Sequence, residues 1–216
     1  MRRLPVYLLI DTSGSMYGEP IESVKNGVQS LLSYLRQDPY ALETAFLSII
    51  EFNTEANQTV PLVDLMNFQP PDLKPSGTTA LGGALSLLAN KITEEVKLTT
   101  MEEKGDWQPL VFIFSDGGAT DDLQKGIENL KKVKTGIIVA CAAGQHASES
   151  ELQKITESVV KLDNADANSI SSFFKWVSAS ISTNSQKIET GEGEASGLAD
   201  LPPPPPEINV VDLNKH

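Results

Sequence analysis

Short runs of wholly apolar residues alternate with stretches of helical period along most of the chain. The runs are Val6–Ile10, Ala45–Phe52, Leu110–Phe114, Gly136–Ala142 and Val159–Leu162. Between them, apolar residues recur at helical spacing: Ile21, Val24, Val28, Leu31, Leu32 and Leu35, then Leu81, Leu85, Leu88 and Ile92, then Leu123, Ile127 and Leu130. Leu152 and Ile155 mark a shorter helix, and Ile170, Phe173, Phe174, Val177 and Ile181 a last one. Strands that are apolar on both faces are those covered on both sides. The pattern therefore predicts an α/β fold, a doubly wound, Rossmann-like, mostly parallel sheet with helices on both faces. One connection is too short for a helix. Ala45–Phe52 is followed, after Asn53-Thr54-Glu55, by the run Asn57–Val63, which reads as a hairpin and predicts one antiparallel edge strand.

The period fades near Thr183. Residues 1–183 are read as one domain and residues 184–216 as an acidic, Pro-rich, flexible tail with five successive prolines at Pro202–Pro206. Within that tail, the proline run or Glu207–Leu213 are candidate docking peptides.

Charge narrows the function. Seventeen Lys and Arg against twenty-nine Asp and Glu give a net charge of −12, which argues against nucleic acid as the ligand. Cys141 is the single cysteine, so neither a disulfide framework nor a multi-cysteine zinc site can be built. The apolar run after Arg2-Arg3 is too short and wrongly flanked to export or anchor the chain, and no other run is long enough to span a bilayer. A cytoplasmic protein without membrane association is the expectation.

In a doubly wound sheet, ligands bind beyond the carboxyl ends of the strands. There the sequence supplies Asp11-Thr12-Ser13-Gly14-Ser15 after the first strand, Ser76-Gly77-Thr78-Thr79 before the second crossover helix, and Ser115-Asp116-Gly117 after a later strand. Oxygen-only donors suit a hard cation, Mg2+ first and Mn2+ as an alternative. A strand-to-helix turn can aim alternate residues at one point. Ser13 and Ser15 would then coordinate directly, and Asp11 directly or through water. Thr79 adds a hydroxyl, with Thr78 as the alternative, and Asp116 adds a carboxylate. Few bound anions leave such a cation electrophilic, ready to accept an Asp or Glu from a protein partner.

Those three segments resemble the metal-ion-dependent adhesion site of von Willebrand factor type A domains, over roughly residues 4–181. The resemblance implies a six-stranded sheet with one antiparallel edge strand, a metal held by Asp11, Ser13, Ser15, Thr79 and Asp116, and a protein-binding rather than catalytic role. Two phrases, Pro5–Met16 and Pro75–Gly82, are also similar to TerY-type proteins of bacterial tellurium-resistance and stress-response clusters. The competing readings are a Mg2+-dependent phosphohydrolase with Asp11 as nucleophile and a metal-free scaffold that recruits through its tail. The first lacks the second carboxylate that such enzymes place two residues on, where this chain has Ser13. A serine hydrolase would have only His146 as its base, and no phosphate-binding Gly-x-x-x-x-Gly-Lys loop exists.

Several residues have plainer expectations. Cys141 reads as a buried core residue and His146 as a surface one. Tyr17 should lie near the mouth of the site, where an aromatic ring offers contact area. Asp121 and Asp122 should favour the start of the following helix through its dipole, with a supporting place around the metal as the alternative. Thr99–Gln108 reads as a solvated linker that could rim the site.

Overall fold

The computed structural model describes residues 2–145, 147–191, 193 and 197–211. His146, assigned to the surface from sequence, lies outside the described residues, as does the end of the candidate docking segment at Asp212 and Leu213.

Strand β1 (Leu4–Asp11) is buried at every position and is an interior strand of the sheet. It is followed by α1 (Glu19–Leu35), a short α2 (Pro39–Thr44), β2 (Ala45–Phe52), β3 (Ala56–Asp64) and α3 (Leu81–Glu95). Then come β4 (Leu110–Ser115), α4 (Leu123–Leu130), β5 (Ile138–Ala143), α5 (Glu149–Ile155), β6 (Ser158–Leu162), α6 (Ala167–Thr190) and β7 (Asn209–Val210). The sheet has seven strands in the order β3-β2-β1-β4-β5-β6-β7. β2, β1, β4, β5 and β6 run parallel, and β3 is antiparallel to β2, as the three-residue gap requires.

Successive strand residues face opposite ways, so β1 divides the interior into two layers. Leu4, Val6, Leu8 and Ile10 pack with α1 and α6, whereas Tyr7 and Leu9 pack with α3 and α4. The sheet is thus covered on both faces, which is why its central strands are apolar throughout.

Three expectations are corrected. The six-stranded count gives way to seven, because β7 pairs antiparallel with β6 through Val160–Val210 and Lys161–Asn209, making both edges antiparallel. The boundary at residue 183 falls inside α6, which runs on to Thr190 and ends at Gly191 in the left-handed region, a conformation suited to glycine. Residues 197–211 are also packed: Leu201 and Ile208 are buried in the core, and the indole Nε1 of Trp176 donates to the carbonyl of Pro202 at 2.7 Å. The two buried apolar side chains supply what an unpacked tail lacks.

The linker at 99–108 is exposed over 99–104, as a solvated segment should be, but its end and its place in the fold differ from the reading. Trp107 is buried, its N–H donates to the carbonyl of Arg3 at 2.9 Å, and the Arg2 guanidinium lies 5.3 Å from its ring centre. Arg3 precedes β1, so this segment lies at the opposite end of the sheet from Asp11 and does not rim the site. Cys141 is buried as expected, and burial pushes its thiol well up, which makes it a core residue rather than a nucleophile.

Candidate metal centre

The apolar run of β1 ends in a carboxylate that does not reach solvent. Asp11 is 0% exposed. Its Oδ1 accepts from the Ser13 N–H at 2.8 Å and its Oδ2 from the Ser115 hydroxyl at 2.6 Å. Burial pushes its carboxyl up, against the pull of the Ser115 and Ser13 hydrogen bonds, and nearby Asp116 adds to the rise. A buried carboxylate so placed is short of positive charge.

From there a chain of polar atoms leads outward. The Ser13 and Ser15 hydroxyls lie 3.0 Å apart, and the Ser15 hydroxyl donates to Asp116 Oδ1 at 2.8 Å. Asp11 and Asp116 are therefore linked both through Ser115, which directly precedes Asp116, and through the serines of the first loop. Ser13 is buried, while Ser15 is exposed and Asp116 half-buried. Solvent reaches the constellation at Ser15 and Asp116.

The second loop is tied to the first by backbone bonds. Ser76 N–H donates to the Thr12 carbonyl at 2.8 Å and Gly14 N–H to the Gly77 carbonyl at 3.1 Å. Gly77 has φ +68°, and a Cβ there would stand 2.0 Å from Thr54 Oγ1, so any other residue would strain the backbone and displace Thr54. Of the two candidate threonines, Thr78 is exposed and its N–H donates to Thr54 Oγ1 at 3.3 Å. Thr79 is buried, and its Oγ1 lies 3.8 Å from the position a Cβ on Gly117 would occupy. Thr79 therefore faces the Asp116 loop and Thr78 does not.

The sequence missed the residues that hold the second and third loops together. Thr120 Oγ1 accepts from the Thr79 N–H at 3.0 Å, and the Thr120 N–H donates to the Thr79 carbonyl at 2.9 Å. Asp121 accepts from the N–H groups of Gly82 and Gly83 at 2.9 and 2.7 Å, so it caps α3 rather than the helix that follows it. Asp122 has the expected place, accepting from the Lys125 N–H in the first turn of α4 at 3.0 Å. A signal for Asp121 did exist. Ala80 at the N-cap of α3 has no side-chain acceptor, so the open N–H groups of that helix had to find one elsewhere. Glu151 of α5 completes the fastening by accepting from Ala119 N–H at 2.7 Å.

Tyr17, at the end of the first loop, is 81% exposed. Beside the site, Ser15, Asp116, Ala143, Gly144, Asp163 and Ala165 line an open groove of about 340 Å³.

Two carboxylates and three hydroxyls carried on three adjacent loops form an oxygen-only donor set suited to a hard divalent cation. Among the described residues, no three His, Cys, Asp or Glu side chains gather into a metal-ligand group, so any such cation would depend on the hydroxyls. These features define a class: doubly wound domains with a hydroxyl-rich set of oxygen donors at the carboxyl edge of the sheet. The chain belongs to the von Willebrand factor type A domain family, whose model matches residues 6–176.

Comparison with curated protein sequences gives no match. Among solved structures, proximal thread matrix protein 1 from the mussel byssus, with a zinc-occupied MIDAS motif, is 19% identical with TM-score 0.60, over 82% of this chain and 48% of that one. A von Willebrand factor type A protein from Catenulispora acidiphila is 18% identical with TM-score 0.64, over 84% and 43%. The pilus adhesin SpaC from Lactobacillus rhamnosus GG, in its open conformation, is 14% identical with TM-score 0.65, over 85% and 30%. This chain spans under half the length of these proteins, and the likeness is one of fold.

Proposed function

We propose that this chain is a Mg2+-dependent protein-interaction module, not an enzyme, which grips an Asp or Glu of a protein partner through a cation held by Asp11, Ser13, Ser15, Thr79 and Asp116. The observation that carries this reading is the run of hydrogen bonds Ser13–Ser15–Asp116, which draws the first and third loops around one point. Three neutral hydroxyls beside two carboxylates leave a bound Mg2+ with no excess of negative charge around it, and the exposed Ser15 and half-buried Asp116 leave room for an external carboxylate. Mn2+ would fit the same donors. The zinc-occupied motif of the mussel protein and the adhesin role of SpaC lend support to a metal-dependent binding role.

The residues present do the holding. Ser13, Ser15 and Thr79 offer hydroxyl oxygens, Asp11 supplies buried negative charge, and Asp116 a carboxylate at the mouth. Ser13 stands where a hydrolase acting through Asp11 would need the carboxyl that protonates the departing alkoxide of a phosphate ester, and a serine hydroxyl is a poor acid for that step. The Pro5–Met16 and Pro75–Gly82 phrases favour a TerY-type setting, a cytoplasmic role in bacterial tellurium resistance or stress response. Among the described residues no helix is long and apolar enough to cross a membrane.

The test is a Mg2+-dependent pull-down from the native host, run beside Asp11→Asn and beside chelator. Loss of the same partners in both controls is expected. Partners retained by the variant with Mg2+ present would overturn the mechanism, and turnover of p-nitrophenyl phosphate with Mg2+ would overturn the non-enzymatic assignment.

A further inference from the structure

We infer that Thr120 is the positioning residue for the hydroxyl of Thr79, and that it sets the affinity of the site for its cation. The inference rests on the metal reading above and concerns a residue that would not itself touch the ion.

Thr79 sits between an exposed loop and the first turn of α3, where a backbone N–H has no helical partner. Thr120 supplies that partner and returns a bond, so both polar groups of the Thr79 backbone are held by one residue. The Thr79 carbonyl also accepts from Leu81 N–H at 3.0 Å, and the next N–H, of Ala80, donates to the Asn53 carbonyl at 2.6 Å. With the backbone fixed on both sides, the direction of the Thr79 Cα–Cβ bond is fixed too. A β-branched side chain has few rotamers left from there. Few directions are thus left to the hydroxyl before any ion arrives.

Thr120 is also four residues from Asp116 along one loop, and that loop is fastened at Ala119 by Glu151 and at Asp121 by the start of α3. The pairing of Thr79 with Thr120 therefore fixes the spacing between a hydroxyl donor and a carboxylate donor that come from different loops. Residues that orient metal ligands are worth about 10- to 100-fold in metal affinity. Thr120→Val keeps the shape and the backbone donor but removes the oxygen that accepts from Thr79, leaving a half-buried N–H open. Thr120→Ser restores that oxygen.

Mn2+ alone is the probe, titrated into the full chain and followed by electron paramagnetic resonance of the free ion, with melting recorded in chelator. Thr120→Val should bind Mn2+ about 10-fold more weakly, and Thr120→Ser should bind like the parent. The double variant Thr79→Ala/Thr120→Val should bind no more weakly than Thr79→Ala, because a positioning effect vanishes with the group positioned. A general loss of structure would instead add to the loss from Thr79. If Thr120→Val does not fold, Thr120→Ala enters the same cycle. A parent chain that binds no Mn2+ overturns the metal reading and this inference with it. A parent that binds while Thr120→Val binds equally, or while the two losses add, overturns the inference alone.

Discussion

The Ser115 hydroxyl donates to Asp11 Oδ2 at 2.6 Å, joining the end of β4 to the end of β1 inside the protein. Because Ser13 N–H holds the other carboxylate oxygen, both oxygens of a fully buried acid are directed by neighbours. That arrangement keeps negative charge behind the serines, where a cation would gain most from it. Asp11→Asn keeps an oxygen for the Ser13 N–H and removes the charge. Without metal, the variant should melt at or slightly above the parent temperature, since a buried charge is costly. Mg2+ at a hundred-fold excess over Kd should stabilise the parent by about 2.7 kcal/mol and leave the variant unchanged. Calorimetric melting with and without Mg2+ checks both halves, and an equal Mg2+ shift in the two proteins contradicts the role given to Asp11.

α3 and α4 approach closely at their starts, and two glycines make this possible. A Cβ on Gly82 would stand 2.3 Å from the Asp122 carbonyl oxygen, and one on Gly126 would stand 2.4 Å from the Gly82 carbonyl oxygen. In an ordinary helix interior, Gly to Ala stabilises by about 1 kcal/mol. At Gly126 the obstacle is backbone, which cannot swing aside, so the sign should reverse. Gly126→Ala should lose about 1–3 kcal/mol in urea unfolding. It should also weaken Mn2+ binding, because the same contact brings Asp121 to α3 and Thr120 to Thr79.

The parts legible in the sequence were those governed by local rules. β1 and its loop were legible because an apolar run stops abruptly at Asp11. The antiparallel edge strand was legible because Asn53-Thr54-Glu55 leaves no room for a helix. All five candidate ligands come from three short loops at the carboxyl edge, where the fold class puts them. The Thr79–Thr120 pairing was not legible, because it depends on two crossover helices starting side by side, with the partners forty-one positions apart in the chain. β7 was hidden for a related reason. It spans two residues, and Ile208 before it is buried by α6 and the sheet rather than by any periodic neighbour. The proline run suggested an unpacked segment because prolines offer no N–H for pairing. Their carbonyls remain, and Pro202 uses one to accept from Trp176.

The packed segment changes how a truncation should behave. A cut at residue 183 would remove the end of α6, where Asn184 and Ser185 are buried, and would damage the domain itself. A cut after Thr190 removes only the returning segment. It would expose the surface that Leu201 and Ile208 cover, each side chain worth about 1.5–3 kcal/mol on burial. Deletion of residues 191–216 should therefore lower stability by a few kcal/mol, more than the about 1 kcal/mol that the single bond from Trp176 to Pro202 could supply. Urea unfolding of the parent and the deletion checks this. A loss of no more than about 1 kcal/mol would show that the segment contributes no burial of its own.

The start of α6 should respond to acid. Asp166 is the N-cap, and its Oδ1 accepts from the Ser169 N–H at 2.8 Å. That backbone bond, helped by the Ser169 side chain, holds its carboxyl below the ordinary value of 3.8. A depressed carboxyl stabilises the fold above its unfolded value and loses that contribution as pH falls through its folded value. Replacing the cap with Asp166→Ala should cost about 1 kcal/mol near pH 6, and the gap between the two proteins should close as the solution is taken below pH 3.8. Asp166→Asn caps without titrating, so its stability relative to Asp166→Ala should hold steady across the same range. Urea unfolding of the three proteins at several pH values measures this. A wild-type advantage over Asp166→Ala that persisted undiminished in acid would show that the cap does not act through its charge.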